Sequence, residues 1–223
     1  MFTSIIKKQT NFSDKKSISY ILRNKRSEMF KSFAAKCDNK KLNIIDVGGT
    51  QDYWNSFYGD KFRTCNITLI NLTKETVNKQ NFKSVIGSGT DMKQFNDKEF
   101  DIVFSNSVIE HVGNYDEQMK MANEVKRVGQ RFFLQTPNKY FPMEPHFLIL
   151  FFQFIPVAIR IFLLTHFRVG WLDDKVKDKK VAKEIAQSIR LLSKRELEKL
   201  FPNSNIYEEK LFGLTKSFIV YSK

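Results

Sequence analysis

The chain is poor in residues that staple or ligate. It has two cysteines in 223 residues, Cys37 and Cys65, too few for a disulfide framework and suited to a reducing cytoplasm. Its three histidines, His111, His146 and His166, are scattered and make no zinc-ligand spacing with the cysteines, so no metal is expected. Acids are scarce as well: 24 Asp and Glu face 37 Lys and Arg. The formal net charge of +13 attracts polyanions, whether nucleic acid, an anionic membrane face or phosphorylated substrates. Internal repeats and low-complexity linkers are absent. The first residues lack a signal peptide's uninterrupted apolar core, because Lys7, Lys8, Lys15 and Lys16 break it, so export by the usual route is not expected. Apolar bulk is abundant. A hydrophobic content of 42%, with 22 Phe in the chain, excludes disorder as the main state and is enough for the core of one large domain.

Residues 1–41 carry eleven Lys and Arg against three Asp and Glu, so over half of the excess charge precedes the first strand. Within this stretch Ile18, Ile21, Leu22, Met29, Phe30, Phe33 and Ala34 recur at helical spacing, with Arg23, Lys25, Arg26 and Lys31 mainly elsewhere on the wheel. It reads as a basic helical N-terminal extension. From Leu42 to residue 223 the pattern changes to short apolar strands separated by helices, as in an α/β parallel sheet covered on both faces. Strands are expected near 43–47, 66–71, 83–86, 100–105 and 131–136, and helices at 52–58, 74–80 and 115–127. Ser193 and Glu196 form a capping box that opens a helix to Leu200, stopped by Pro202; strands near 205–211 and 216–222 close an antiparallel edge.

Two stretches carry chemistry. Asn43-Ile-Ile-Asp-Val-Gly-Gly-Thr50 is a buried strand ending in an acid and two glycines, which let the backbone approach a ligand closely. Phe100-Asp-Ile-Val-Phe-Ser-Asn-Ser-Val-Ile-Glu-His-Val112 stands at the distance of a fourth strand. Together they resemble the class I S-adenosylmethionine-dependent methyltransferases of the small-molecule type, over residues 42 to about 136. Asp46 to Trp54 also resembles a bacterial subgroup found near polysaccharide biosynthesis genes. In that subgroup a basic helix like Leu22–Arg26 precedes the first strand, and a segment like Thr136-Pro-Asn138 follows the fifth. The resemblance implies a Rossmann-like, seven-stranded, mostly parallel sheet with an antiparallel last strand and helices on both faces. The N-terminal helix and an apolar helical insert at about 141–180 are added to it.

S-adenosylmethionine is the cofactor this resemblance implies. It places Gly48, Gly49 and Thr50 under the methionine part and Asp46 at the strand end; Asn71, beside Leu72, falls where an acid usually holds the ribose. Ser88, with Gly89 and Thr90, stands where an Asp commonly receives the adenine amino group, and Ser105 and Asn106 match the fourth-strand end. The later glycines of a GxGxG turn are missing. Asn71 and Ser88 each forgo a charge-assisted hydrogen bond worth about 1.5–3 kcal/mol, so weaker cofactor affinity is expected.

Methyl transfer requires in-line alignment and, for a hydroxyl acceptor, a base. No NPPY-type motif follows the fourth strand, which disfavours methylation of DNA bases and points to oxygen, or to a sugar or lipid-linked amine. His146 and Glu144, in a loop held by two prolines, and His111 are the candidate catalytic residues. Between Phe147 and Phe167 only Gln153, Pro156, Arg160, Thr165 and His166 are not apolar. Pro156 and Arg160 near the middle argue against a membrane span. A helical pair broken at Pro156 is expected, as a lid, an element resting in a membrane interface beside Arg168, Trp171, Lys175, Lys177, Lys179 and Lys180, or a buried or dimer surface. The function expected is methyl transfer to a small-molecule, glycan or lipid-linked acceptor by a protein that is cytoplasmic or peripheral at the inner membrane face. The alternatives are an RNA-modifying or RNA-binding protein, disfavoured because no RNA-binding domain is appended, and an inactive membrane-associated relative.

Overall fold

The computed structural model describes residues 16–37, 41–170 and 172–223; Lys7, Lys8, Lys15 and Trp171 lie outside them. Nine strands occur among the described residues: β1 (Asn43–Val47), β2 (Asn66–Asn71), β3 (Phe82–Ile86), β4 (Phe100–Asn106), β5 (Gly129–Pro137), β6 (Met143–Glu144), β7 (Ile149–Leu150), β8 (Asn205–Leu211) and β9 (Leu214–Tyr221). Seven of them form one sheet in the order β3-β2-β1-β4-β5-β9-β8. β1 to β5 run parallel, and β9 pairs antiparallel with both β5 and β8. This is the expected mostly parallel sheet with an antiparallel last strand. The register sets Val47 beside Ile70 and Ser105, Asn106 beside Gln135, and Pro137 beside Ser217, so these strand ends share one edge of the sheet.

Alternation along β1 explains the two faces. Ile44 and Asp46 look one way, Ile45 and Val47 the other, and each set joins a different core. On the first face lies α1 (Ile18–Ala34), opened by Ser17, whose hydroxyl accepts from the Tyr20 amide. It buries Phe30 completely, against the rings of Trp54, Tyr58, Phe62, Phe104 and Phe133, with centroids 4.8 to 5.9 Å away. The short α2 (Gln51–Phe57) supplies Trp54 and Phe57 to the same face. On the opposite face α3 (Tyr115–Val128) presents Met121 and Val125.

The helix expected at 74–80 does not form. Gln51 is buried, and its side-chain oxygen accepts from the amides of Asn78 and Lys79, while the Glu75 amide donates to Ser84 Oγ. These amides are committed to side chains, and only Val77 of the stretch packs against the core, so no apolar stripe holds a helix there.

The insert also departs from the expected helical pair. Its first half is the β6–β7 hairpin and a short 3-10 turn, Phe152–Phe154; only its second half is helical, α4 (Val157–His166). Leu148 and Phe151 have φ of 53° and 58°, and the Glu144 carboxylate accepts from the amides of His146 and Phe147, so the chain turns back before a helix can start. α4 packs on α5 (Lys179–Gln187) around a core of its own, with Phe147, Phe152, Leu164, Ala182 and Ala186. The central Arg160 binds the carbonyls of Gln153, Ile155 and Ala186, so its charge ties the insert together. No helix among the described residues is long and apolar enough to cross a membrane. The last helix, α6 (Lys194–Leu200), carries the expected capping box, Ser193 with Glu196, and seats Leu197 and Leu200 on the α3 face.

Candidate functional site

The turn after β1 is built around a buried acid. Gly48 has φ of +76°, and a Cβ there would meet Val108 Cγ2 at 2.5 Å; one on Gly49 would lie 1.7 Å from Asp46 Oδ2. Two glycines are therefore the only residues that fit between Asp46 and the β4 loop. The Asp46 carboxylate is 1% exposed, accepts from Trp54 Nε1 at 2.7 Å through Oδ2, and leaves Oδ1 without a partner. Burial pushes its pKa up to about 8, against which the Trp54 bond acts only in part.

The neighbouring strand ends complete this half. Asn71 donates to the Gly49 carbonyl at 2.9 Å, locking the β2 end to the glycine turn, and Leu72 follows as a highly exposed apolar side chain. Thr50 caps α2 by accepting from the Tyr53 amide. Ser88 and Thr90 share a hydrogen bond of 2.8 Å between their hydroxyls, and Gly89 faces Val47 so closely that a Cβ would meet it at 2.7 Å. Ser105 is buried and donates to the Val47 carbonyl at 3.4 Å, whereas the side chain of Asn106 accepts from Arg26. Thus the positions implied for a cofactor lie on adjoining strand ends, with a glycine cradle and an unpaired buried oxygen among them.

The second half gathers residues that are distant in sequence. Just past the end of β4, Ser107 has φ of 58° and is held by bonds to the Gln135 backbone and side chain, and a short turn then delivers Glu110 and His111. The β6–β7 hairpin brings His146 against His111, ring centroids 4.7 Å apart and edge to face. His146 Nδ1 lies 2.6 Å from Glu144 Oε1, which is buried. Burial pulls the His146 pKa down, but the Glu144 bond and the charges of Glu144 and Glu110 outweigh it, leaving it raised above 6.5. Burial and then His146 lower the His111 pKa to about 4, so its ring is neutral at pH 7.

Glu110 was not singled out from the sequence. It is fully buried, accepts from Thr136 Oγ1 at 2.9 Å, and has an unpartnered Oε1; burial raises its pKa to about 7. The signal was its place beside His111 in the Glu-His-Val stretch, and Thr136 in the Thr-Pro-Asn segment is its partner. Ligand atoms of Glu110, His111 and His146 lie within 4.8 Å of one another, looser than the roughly 3.3 Å between donors around a tetrahedral zinc. His166, the third histidine, lies apart, stacked on Phe162.

A model of the methyltransferase-domain family matches residues 19–207. The chain belongs to that family. Among solved structures it is similar to the 1,6-didemethyltoxoflavin-N1-methyltransferase of Burkholderia thailandensis, which holds 1,6-didemethyltoxoflavin and S-adenosylhomocysteine. The TM-score is 0.54 at 10% identity, over 90% of this chain and 76% of that one. The magnesium protoporphyrin IX methyltransferase of Synechocystis, with bound S-adenosylhomocysteine, gives 0.53 at 10% identity over 90% and 83%. At such identity the likeness is one of fold. An uncharacterised protein of Mycobacterium tuberculosis is 41% identical over 51 residues, and the match spans only 23% of this chain and 17% of that protein. S-adenosylmethionine is thus the cofactor to test against the geometry, and the buried Asp46 Oδ1 without a partner, at the turn where Gly48 and Gly49 make room for Val108 and Asp46, is the observation that fits it.

Proposed function

We propose that this protein transfers the methyl group of S-adenosylmethionine to an oxygen of a small-molecule, glycan or lipid-linked acceptor. The observation that carries the reading is that the glycine cradle after β1 and the Glu144-held imidazole of His146, beside the β4 loop, stand at the same end of one sheet. When bound, the cofactor supplies a methyl group on a positively charged sulfur. The Gly48–Gly49 turn lies under its methionine part, and Asn71 holds the turn in shape while its side-chain oxygen remains to accept from a ribose hydroxyl. Leu72 offers an apolar shelf. Across the edge, His146 removes the acceptor hydroxyl's proton at Nε2, because Nδ1 is engaged by Glu144. Buried Glu144 fixes the ring and stabilises the imidazolium as it forms. Glu110 and neutral His111 line the same side.

The insert supports a lipid-linked acceptor. Leu150, Phe151, Phe154, Ile159, Phe162 and Phe167 are exposed although the insert has a core of its own. Arg168, Lys175, Lys177, Lys179 and Lys180 are exposed close by in sequence, the pairing that rests on anionic headgroups. The test is transfer of labelled methyl groups to fractionated cell extract. His146→Ala should lower turnover by about 100-fold, in line with loss of a general base, with cofactor affinity unchanged. Turnover at the wild-type rate would remove His146 from the chemistry.

A further inference from the structure

The histidines have no metal-ligand spacing along the chain, yet the fold gathers a carboxylate and two imidazoles from two separate loops. Glu110 and His111 follow β4 on a short turn, and His146 comes from the β6–β7 hairpin. One ligand atom from each lies within 4.8 Å of the other two. The turn is fixed from outside the cluster: the Ile109 carbonyl accepts from Gln118 Nε2 on α3 at 2.9 Å, and the Glu110 carbonyl accepts from the Arg190 amide at 2.8 Å.

Each of the three presents a lone pair. Glu110 is fully buried, Thr136 donates to its Oε2, and its Oε1 receives no hydrogen bond. His146 engages Glu144 Oε1 through Nδ1 at 2.6 Å, which leaves Nε2 as the accepting nitrogen of the ring. A carboxylate behind the imidazole is the usual support of a metal-bound histidine, because it sets the tautomer and strengthens the ligand. His111 meets the His146 ring edge to face, and neither of its ring nitrogens hydrogen-bonds to a described residue.

Metal bonds of about 2.1 Å set donors roughly 3.3 Å apart around a tetrahedral ion, so a pair at the 4.8 Å limit has about 1.5 Å to close. The exposed His111 ring is free to make that movement, whereas Glu110 is held by Thr136 and His146 by Glu144. One carboxylate, two imidazoles and a side open to solvent suit a divalent transition ion that keeps water in its remaining positions. Magnesium and calcium prefer oxygen donors, so zinc is the better match.

We propose that Glu110, His111 and His146 bind a zinc ion, and that the bound ion switches methyl transfer off by taking the His146 Nε2 lone pair. The switch rests on the proposed function, in which that same lone pair removes the acceptor's proton; the metal site does not. Base and ligand exclude each other, because Nε2 has one lone pair to give.

The test is calorimetric titration of zinc chloride into the full chain freed of metal with a chelator, with and without saturating S-adenosylhomocysteine. Wild type should bind one ion with a Kd of about 10 μM or tighter. Glu110→Gln, which keeps an acceptor for Thr136, and His111→Ala, a second variant at an exposed position, should each weaken zinc about tenfold or more, with S-adenosylhomocysteine affinity within about twofold of wild type. His166→Ala, away from the cluster, should leave zinc affinity unchanged. Diethyl pyrocarbonate, which acylates an imidazole with a free lone pair, reads the switch. Peptide mass analysis should find His146 modified in the zinc-free chain and lose that modification when zinc is bound, while His166 reacts equally in both. No stoichiometric zinc binding by wild type, or zinc affinity weakened no more by Glu110→Gln and His111→Ala than by His166→Ala, would overturn the site. Undiminished modification of His146 with zinc bound would overturn the switch. Failure to bind S-adenosylhomocysteine, with zinc still held, would overturn methyl transfer and leave the metal site standing.

Discussion

Glu144 is buried yet bonded to the His146 ring and to two backbone amides, so it both shapes the loop and sets the ring's titration. A base must be neutral to act. Because the His146 pKa is raised above 6.5, activity should be lost as pH falls through that raised value. Glu144→Gln keeps an oxygen for the amides but removes the charge, so the acid limb of kcat/KM against pH should move to lower pH, with a lower plateau. A limb that stays in place would mean that another group titrates. Asp46, Gly48 and Gly49 were legible because strand, acid and glycine turn are adjacent in the chain. The partners of Glu110 and Arg26 were not. Thr136 is 26 residues from Glu110 and Asn106 is 80 from Arg26, and only the sheet order makes them neighbours.

Among the elements, those with local punctuation were read well. β1, β2 and β8 have the expected limits, since each is an apolar or alternating run with polar or turn-forming residues beside it. α6 was legible from Ser193 and Glu196 alone, and Ser193→Ala should lower stability by about 1 kcal/mol, read by chemical denaturation. A loss below a few tenths would show that the box adds nothing to the helix. The segment 74–80 and the first half of the insert were misread for a common reason: side chains elsewhere in the chain or loop take their backbone amides. Gln51 does so for the first and Glu144 for the second. Apolar content in the insert identified burial and exposure together but not the hairpin. If its exposed face rests on headgroups, Phe154→Asp with Phe162→Asp should abolish flotation with anionic vesicles and leave the unfolding midpoint nearly unchanged. Flotation equal to wild type would remove the membrane from the account.

For the whole molecule, the sheet order brings two groups of polar residues to one edge, the glycine turn with Asp46 and Asn71 after β1 and β2, and the Glu110, His111 and His146 cluster beyond β4 and β5. Arg26 lies on α1, which also carries Phe30 into the central aromatic cluster, and donates to Asn106 at the end of β4, so the helix joins the core to the strand-end edge in one element. The sequence pattern conveyed the succession of strands along the chain and the basic character of that helix, whereas the inward direction of Arg26 depends on packing that no local pattern records. The most direct measurement is titration calorimetry of S-adenosylhomocysteine into wild type and Gly49→Ala, the latter placing a methyl 1.7 Å from Asp46 Oδ2. One-site binding in the micromolar range by wild type, weakened by about tenfold or more in the variant, is the predicted result. Absence of binding by wild type, or equal binding by both, would contradict the cradle and the methyl transfer built on it.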